Sequence, residues 1–268
     1  MTFGLGPALL FCPADRPDRF EKAAERADAV ILDLEDAVAP SDKSAARDNL
    51  IRHPLDPETT IVRVNSVSSG YFADDLVALS QTHYRTVMVA KSEGPVQLSG
   101  LDRYELIALC ETAAGVLAAP SIAAVKNVVA LMWGAEDLVA SLGGSSSRFD
   151  NGHYRQVAGH ARSSVLLAAA ASGKAAIDAV HLDINDNDGL ADEARDAAAV
   201  GFAATACIHP GQVAVVRDAY RPTPDQLAEA TALLEAAEGQ RGVFRFDGRM
   251  IDGPVLRHAE QLLRRSRT

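Results

Sequence analysis

AVILDLED, residues 29–36, begins as an unbroken apolar run and ends with three acids in its last four positions. A strand buried on both faces reads this way, and such strands belong to parallel sheets covered by helices. Seven more runs repeat the design: Ala8–Pro13, Thr60–Asn65, Thr86–Glu93, Glu105–Glu111, Val129–Asp137, Ala176–Ile184 and Phe202–His209. Ala-, Arg- and Leu-rich helical stretches separate most of them. Strand alternating with helix predicts a parallel sheet, and eight such units close a (β/α)8 TIM barrel. In such barrels the chemistry sits at the carboxyl ends of the strands. Here those ends carry Asp33, Glu35, Asp36, Arg63, Lys91, Glu111, Asp137, Asp183 and His209. An enzyme is the first expectation.

The bulk composition narrows the class. A chain of 268 residues, 48% of them hydrophobic, suits one large α/β barrel. The net charge of −10 argues against nucleic-acid binding, which needs a basic stripe. An anionic substrate must then be drawn in by a local Arg and Lys cluster. No basic segment leads into an apolar stretch with a cleavage site, and no apolar run approaches ~18 residues. Neither a secretory signal nor a membrane span is expected. The odd cysteine count (Cys12, Cys110, Cys207), all within predicted strands, fits a reducing cytoplasm. Cys207 lies two residues before His209, but it reads as a small core hydrophobe in preference to a nucleophile.

Helix signals punctuate the chain. Pro17 opens a first helix after Asp15, Ser41–Leu50 forms a second, and Gly173 ends a long one beginning near Tyr154. Gly143–Ser147 reads as a surface loop, with a phosphate cradle as the alternative. After His209 the pattern changes. Thr223-Pro224-Asp225-Gln226 is a helix start with a capping box. Asp247-Gly248, between VFRF (243–246) and RMI (249–251), is a hairpin signal, and a last helix runs from Pro254 through Arg265. The barrel is complete without this tail. The predicted organisation is a barrel over 1–222 and a hairpin-and-helix lid or oligomerisation extension over 223–268.

Among the strand-end residues, Glu111 and Asp137 form the sharpest pair. Consecutive parallel strands lie about 4.8 Å apart, so both carboxylates can reach one ion. Two carboxylates, with water and substrate oxygens completing the shell, are how Mg²⁺ is usually held. The alternative is a helix cap or a salt-bridge partner. Arg63 suits a carboxylate or enolate oxygen through its rigid fork, or an internal ion pair with Asp33, Glu35 and Asp36; both roles are compatible. Lys91 pairs with the same acids or meets substrate. Strand alternation puts Asp33 and Glu35 on one side and Asp36 on the other. His209 reads as a structural histidine or a proton shuttle. Asp252, taken alone, is an N-cap for the last helix.

The order DLED (33–36), Lys43, VRVN (62–65), AKSE (90–93), ET-x-x-G (111–115), GAEDL (134–138), IHP (208–210) and MID-x-P (250–254) resembles the HpcH/HpaI aldolase–citrate lyase family, in particular its stand-alone citrate lyase β-like members. The resemblance runs from Phe11 to about Leu263. It implies a (β/α)8 barrel with Mg²⁺ at the strand ends, held by Glu111 and Asp137, with Arg63 near the enolate. Gly134, Ala135 and Glu136 are implied to bind substrate, and Arg16, Lys22 and Lys43 to meet coenzyme A phosphates. Asp252 is implied as an acid/base residue brought by the tail of a neighbouring subunit, which reverses its reading as a cap and predicts a homotrimer with composite sites. Two departures stand out: Ala90 replaces a Pro common before the Lys, and TAC (205–207) precedes IHP where many relatives carry Gly-Lys.

The expected activity is Mg²⁺-dependent cleavage or formation of a hydroxyacyl-CoA such as citramalyl-CoA or malyl-CoA. The products would be acetyl-CoA and a 2-oxo acid (pyruvate, glyoxylate or oxaloacetate). The alternatives are a β subunit of a citrate lyase complex, a class II aldolase acting on free 2-oxo acids, and, least favoured, a non-catalytic binding barrel.

Overall fold

Each apolar run becomes a strand because its Val, Ile and Leu side chains have helices on one side and the barrel interior on the other. The computed structural model describes residues 3–240 and 242–266. The strands are β1 (Ala8–Pro13), β2 (Ala29–Asp33), β3 (Thr60–Val64), β4 (Thr86–Val89), β5 (Glu105–Cys110), β6 (Val128–Trp133), β7 (Ala175–Asp178) and β8 (Ala204–Cys207). They are parallel throughout, and β8 pairs with β1 to close the barrel. The intervening helices are α1 (Phe20–Ala24), α2 (Lys43–Arg52), α3 (Phe72–Leu79), α4 (Pro95–Leu98), α5 (Ala113–Ala123), α6 (Ala135–Ser141), α7 (Gln156–Ala171), α8 (Asn187–Val200) and α9 (Gln212–Tyr220).

Alternate residues of each strand face inward. The inward set includes Leu9, Ile31, Ile61, Met88, Ile107 and Ile177, all buried in one cluster. Leu109 and Met132 belong to the same cluster, and two residues beyond Leu9, Ile31, Ile61, Leu109 and Met132 come Phe11, Asp33, Arg63, Glu111 and Gly134. The apolar filling therefore ends where the polar rim begins.

Several strands stop short of the apolar runs that predicted them. Lys91 and His209 stand two residues beyond β4 and β8, and Asp183 lies in the loop after β7. Asp137 was expected at a strand end. It instead occupies the first turn of α6, because the strand ends at Trp133 and the helix begins directly after Gly134. The strand also ends at Asp33, so alternation does not govern Glu35 and Asp36: both turn toward Lys91. The Gly143–Ser147 stretch follows α6 as the expected loop. Gly143 and Gly144 donate their N–H groups to Ala140 and Val139 at the end of α6, and the buried Ser147 hydroxyl donates to Glu136 at 2.5 Å.

The chain divides into two compact units, Met1–Val216 and Arg217–Thr268. In the second, α10 (Pro224–Ala237) starts with the expected capping box of Thr223 and Gln226. The hairpin β9 (Phe244–Phe246) and β10 (Arg249–Ile251) turns at Asp247-Gly248, both at positive φ, and α11 (Gly253–Arg265) follows. Ala230, Leu233, Ile251 and Ala259 form its small core. Among the described residues no helix is long and apolar enough to cross a membrane. All three cysteines are buried free thiols. Burial pushes Cys12 up to about 11 and Cys110 up to about 12, as inert core thiols require.

Candidate active site

The carboxyl rim of β2 to β6 gathers a network of charges. Asp33 and Arg63 are Cα partners on β2 and β3. Their side chains meet in a bidentate pair, Nε to Oδ1 and Nη2 to Oδ2, both 2.6 Å. Arg63 Nη1 lies 3.1 Å from Glu35 Oε2, and the guanidinium stacks 4.8 Å from the Phe11 ring centroid. Burial works against the guanidinium charge, but Asp33 outweighs it and leaves the Arg63 pKa above its ordinary value. Asp33 also accepts the N–H groups of Glu35 and Ala37, which folds the loop after β2 over the pair.

Lys91 has a positive φ of 49°, and its ammonium points back across the rim. It contacts Glu35, lies 3.3 Å from both Asp36 and Asp137, and is 4.0 Å from Glu111. Its own N–H donates to Glu111 Oε1 at 3.1 Å. The Lys91 pKa is raised because these carboxylates overcome its partial burial.

Glu111 follows β5 directly and is 2% exposed. Burial, and next the repulsion of Asp137, push its carboxyl up to about 8. Gly134 makes room for it: a Cβ there would lie 2.9 Å from Glu111 Oε2. The glycine of ET-x-x-G is explained similarly, since a Cβ on Gly115 would lie 2.5 Å from the Ser92 carbonyl oxygen. Thr112 caps α5 through the Gly115 N–H and accepts no metal-site role.

These residues fit a hard divalent cation. Glu111 and Asp137 approach the Lys91 ammonium from two elements, and positive charge placed between them relieves their mutual repulsion. Among the described residues no cluster of three His, Cys, Asp or Glu side chains is arranged to hold a metal. A two-carboxylate site completed by water and substrate favours Mg²⁺ over Zn²⁺.

The remaining sequence candidates separate. Ala135 and Glu136 lie with Asp137 in the first turn of α6, Ala135 buried and Glu136 exposed. Arg16 is exposed and paired with Asp18, and Lys22 is exposed on α1. Lys43 is buried. Its ammonium donates to the carbonyls of Leu34 and Glu35 at 2.7 and 3.0 Å, which ties down the acidic loop and directs the charge inward, away from any phosphate at the mouth. His209 is exposed and its Nδ1 accepts the Gly211 N–H, a turn contact. Asp252 caps α11, its Oδ1 accepting the Val255 N–H at 3.4 Å.

Sequence reasoning missed a second buried network behind the rim. Trp133, the last residue of β6, donates its indole N–H to Asp178 at 2.6 Å, and Arg162 grips the same carboxylate. A tryptophan ending an apolar strand is the one available signal, because a buried indole N–H needs an acceptor.

A parallel eight-stranded barrel whose carboxyl rim gathers paired acids around the Lys91 ammonium has the build of a barrel enzyme with its chemistry at the strand ends. The family model for HpcH/HpaI aldolase/citrate lyase matches residues 8–210, and the chain belongs to that family. It is 58% identical over 261 residues to a citrate lyase subunit beta-like protein of Mycobacterium tuberculosis, covering 97% of this chain and 96% of the relative. It is 32% identical over 287 residues to the mitochondrial citramalyl-CoA lyase of Homo sapiens, covering 94% and 83%. Among solved structures it resembles protein CitE from M. tuberculosis in complex with magnesium, acetoacetate and coenzyme A. That match has a TM-score of 0.95 at 57% identity, with 98% and 99% of the chains covered.

Proposed function

We propose that the protein is a Mg²⁺-dependent carbon–carbon lyase acting on a hydroxyacyl-CoA of the citramalyl-CoA or malyl-CoA type. The products are acetyl-CoA and a 2-oxo acid such as pyruvate, glyoxylate or oxaloacetate, and the reaction runs in either direction. The convergence of Glu111 and Asp137 on one positive charge at the barrel rim carries the reading. The relatives support it: one is named a citramalyl-CoA lyase, and a similar structure holds magnesium with coenzyme A.

Mg²⁺ supplies Lewis-acid polarisation of the oxygen that becomes the 2-oxo carbonyl. Glu111 and Asp137 hold it. Arg63 donates Nε and Nη2 to Asp33 and pairs through Nη1 with Glu35, and the guanidinium charge held there stabilises the developing enolate oxygen of the thioester. Asp33 keeps that guanidinium charged and fixed in orientation. As the hydroxyl becomes the 2-oxo carbonyl its proton is lost to solvent, the electron pair of the breaking C–C bond passes to the thioester enolate, and Asp252, entering protonated, gives its proton to the acetyl carbon and regains one from solvent. We assign that Asp252 to a neighbouring chain of a homotrimer. The acyl-CoA phosphates then meet Arg16 and Lys22, while Lys43 serves the loop beneath. The buried free thiols support a cytoplasmic setting.

The test is to incubate the protein and Mg²⁺ with a panel of hydroxyacyl-CoAs and follow 2-oxo acid release. Release from free hydroxy acids at the same rate, without the thioester, would replace this reading with that of an aldolase on free acids.

A further inference from the structure

We infer that Trp133, anchored by Asp178 and Arg162, is a positioning residue for Asp137. The inference rests on the metal-site reading above. No side-chain cap fixes where α6 begins: its N-cap is Gly134, which offers no side chain, and its first turn is held only by side-chain contacts of Glu136 with Ser147 and of Asp137 with Lys91. The start of the helix is set by its flanks. Gly134 lies beneath Glu111 on one side. On the other, Trp133 is completely buried and its indole N–H donates to Asp178 Oδ1 at 2.6 Å. Asp137 follows four residues after this anchor.

The anchor is itself held from three directions. Arg162 Nε and Nη2 reach Asp178 Oδ2 at 3.0 and 2.7 Å, and the Ala179 N–H donates to Oδ1 at 3.0 Å. Arg162 Nη1 pairs with Asp196 on α8 at 2.5 Å. The Trp133 ring also packs edge-on against Tyr154, with centroids 5.1 Å apart. The indole is thus fixed by a carboxylate that cannot turn. Neighbours that orient a metal ligand without touching the metal commonly change affinity by ~10-fold or more.

The test measures Mg²⁺ affinity by calorimetry, independently of turnover, for the parent, Asp137→Ala, Trp133→Phe, Asp178→Ala and Asp178→Asn. In Trp133→Phe the Asp178 carboxylate keeps Arg162 and the Ala179 N–H, so the fold is expected to survive, as checked by far-ultraviolet circular dichroism. We expect ~10-fold weaker Mg²⁺ binding in Trp133→Phe, a similar loss in Asp178→Ala, and partial rescue in Asp178→Asn, whose amide oxygen still accepts the indole N–H. Because Trp133 is the single tryptophan, its emission gives a second readout: Mg²⁺ should shift it in the parent and not in Asp137→Ala. If Asp137→Ala loses Mg²⁺ while a folded Trp133→Phe binds like the parent, the positioning role is wrong and the metal site stands. If Asp137→Ala binds like the parent, the metal site itself is wrong and the positioning role falls with it. Should Asp178→Ala not fold, Trp133→Phe decides alone.

Discussion

Asp33 and Arg63 face each other across β2 and β3 as register partners, and both ends of the carboxylate are gripped at 2.6 Å. The pair is buried at the top of the apolar filling, so neither charge can be removed without exposing the other. Arg63→Ala should destabilise the fold by about 3–5 kcal/mol, the usual consequence of stranding one member of a buried pair. Arg63→Lys keeps the charge and loses the fork. It should retain a cooperative melt while kcat falls at least ~100-fold, in the range seen when an oxyanion donor is removed. Near-normal kcat in a folded Arg63→Lys would confine Arg63 to its ion pair.

Gly134→Ala tests the seat of Glu111. The added methyl would press on a carboxylate with little room to move, at 2.9 Å from Oε2 and 3.0 Å from Cβ. Overpacking of this kind destabilises by about 1–3 kcal/mol. Mg²⁺ affinity should drop more than thermal stability does, because the displaced group is the proposed metal ligand. A melt and a Mg²⁺ titration on one preparation make the comparison; equal affinity with the parent would show that Glu111 is free to shift.

The proposed trimer with shared sites predicts complementation. Asp252→Asn and Glu111→Ala chains, each inactive alone, should regain part of the activity after mixing under conditions of proven subunit exchange. Mixtures as inactive as their parents would leave Asp252 as the cap of α11 and no more.

One pH dependence follows from the network behind β7. The hydrogen bond from His181 Nδ1 to Glu193, 2.9 Å long, raises the histidine pKa, with partial burial opposing it. A raised histidine stabilises the fold fully below its unfolded value of about 6.5, and that contribution disappears as pH rises through the folded value. The Tm difference between the parent and His181→Gln should therefore be larger at pH 5.5 than at pH 8.5. A gap that is flat with pH would mean that the ring titrates alike in the folded and unfolded states.

Much of this was legible in the residues themselves. The eight strands were readable because parallel strands leave continuous apolar runs, and the capping box and Asp-Gly turn of the tail are local signals confined to a few positions. Glu111, Asp137, Arg63 and Lys91 were visible as charges that an apolar run would not otherwise tolerate. Their partners were harder to read. Asp137 was misplaced onto the strand because Ala135 and Leu138 prolong the apolar pattern into α6. Lys43 looked like a free cation, since nothing local reveals that the Leu34 and Glu35 carbonyls will consume it. Trp133, Arg162 and Asp178 meet across separations set by the closing of the barrel, and no spacing rule connects them.

The pairing of β2 with β3 also limits how this chain can change in length. Inward and outward positions alternate residue by residue, so one residue gained or lost inside Ala29–Asp33 would swing the Asp33 carboxylate outward toward the helices and bring Leu32 (on a gain) or Leu34 (on a loss) to face Arg63. Insertions and deletions should therefore concentrate in the loops, and a gap falling within these five positions in a relative would mark either a mistaken alignment or a barrel that has given up this chemistry.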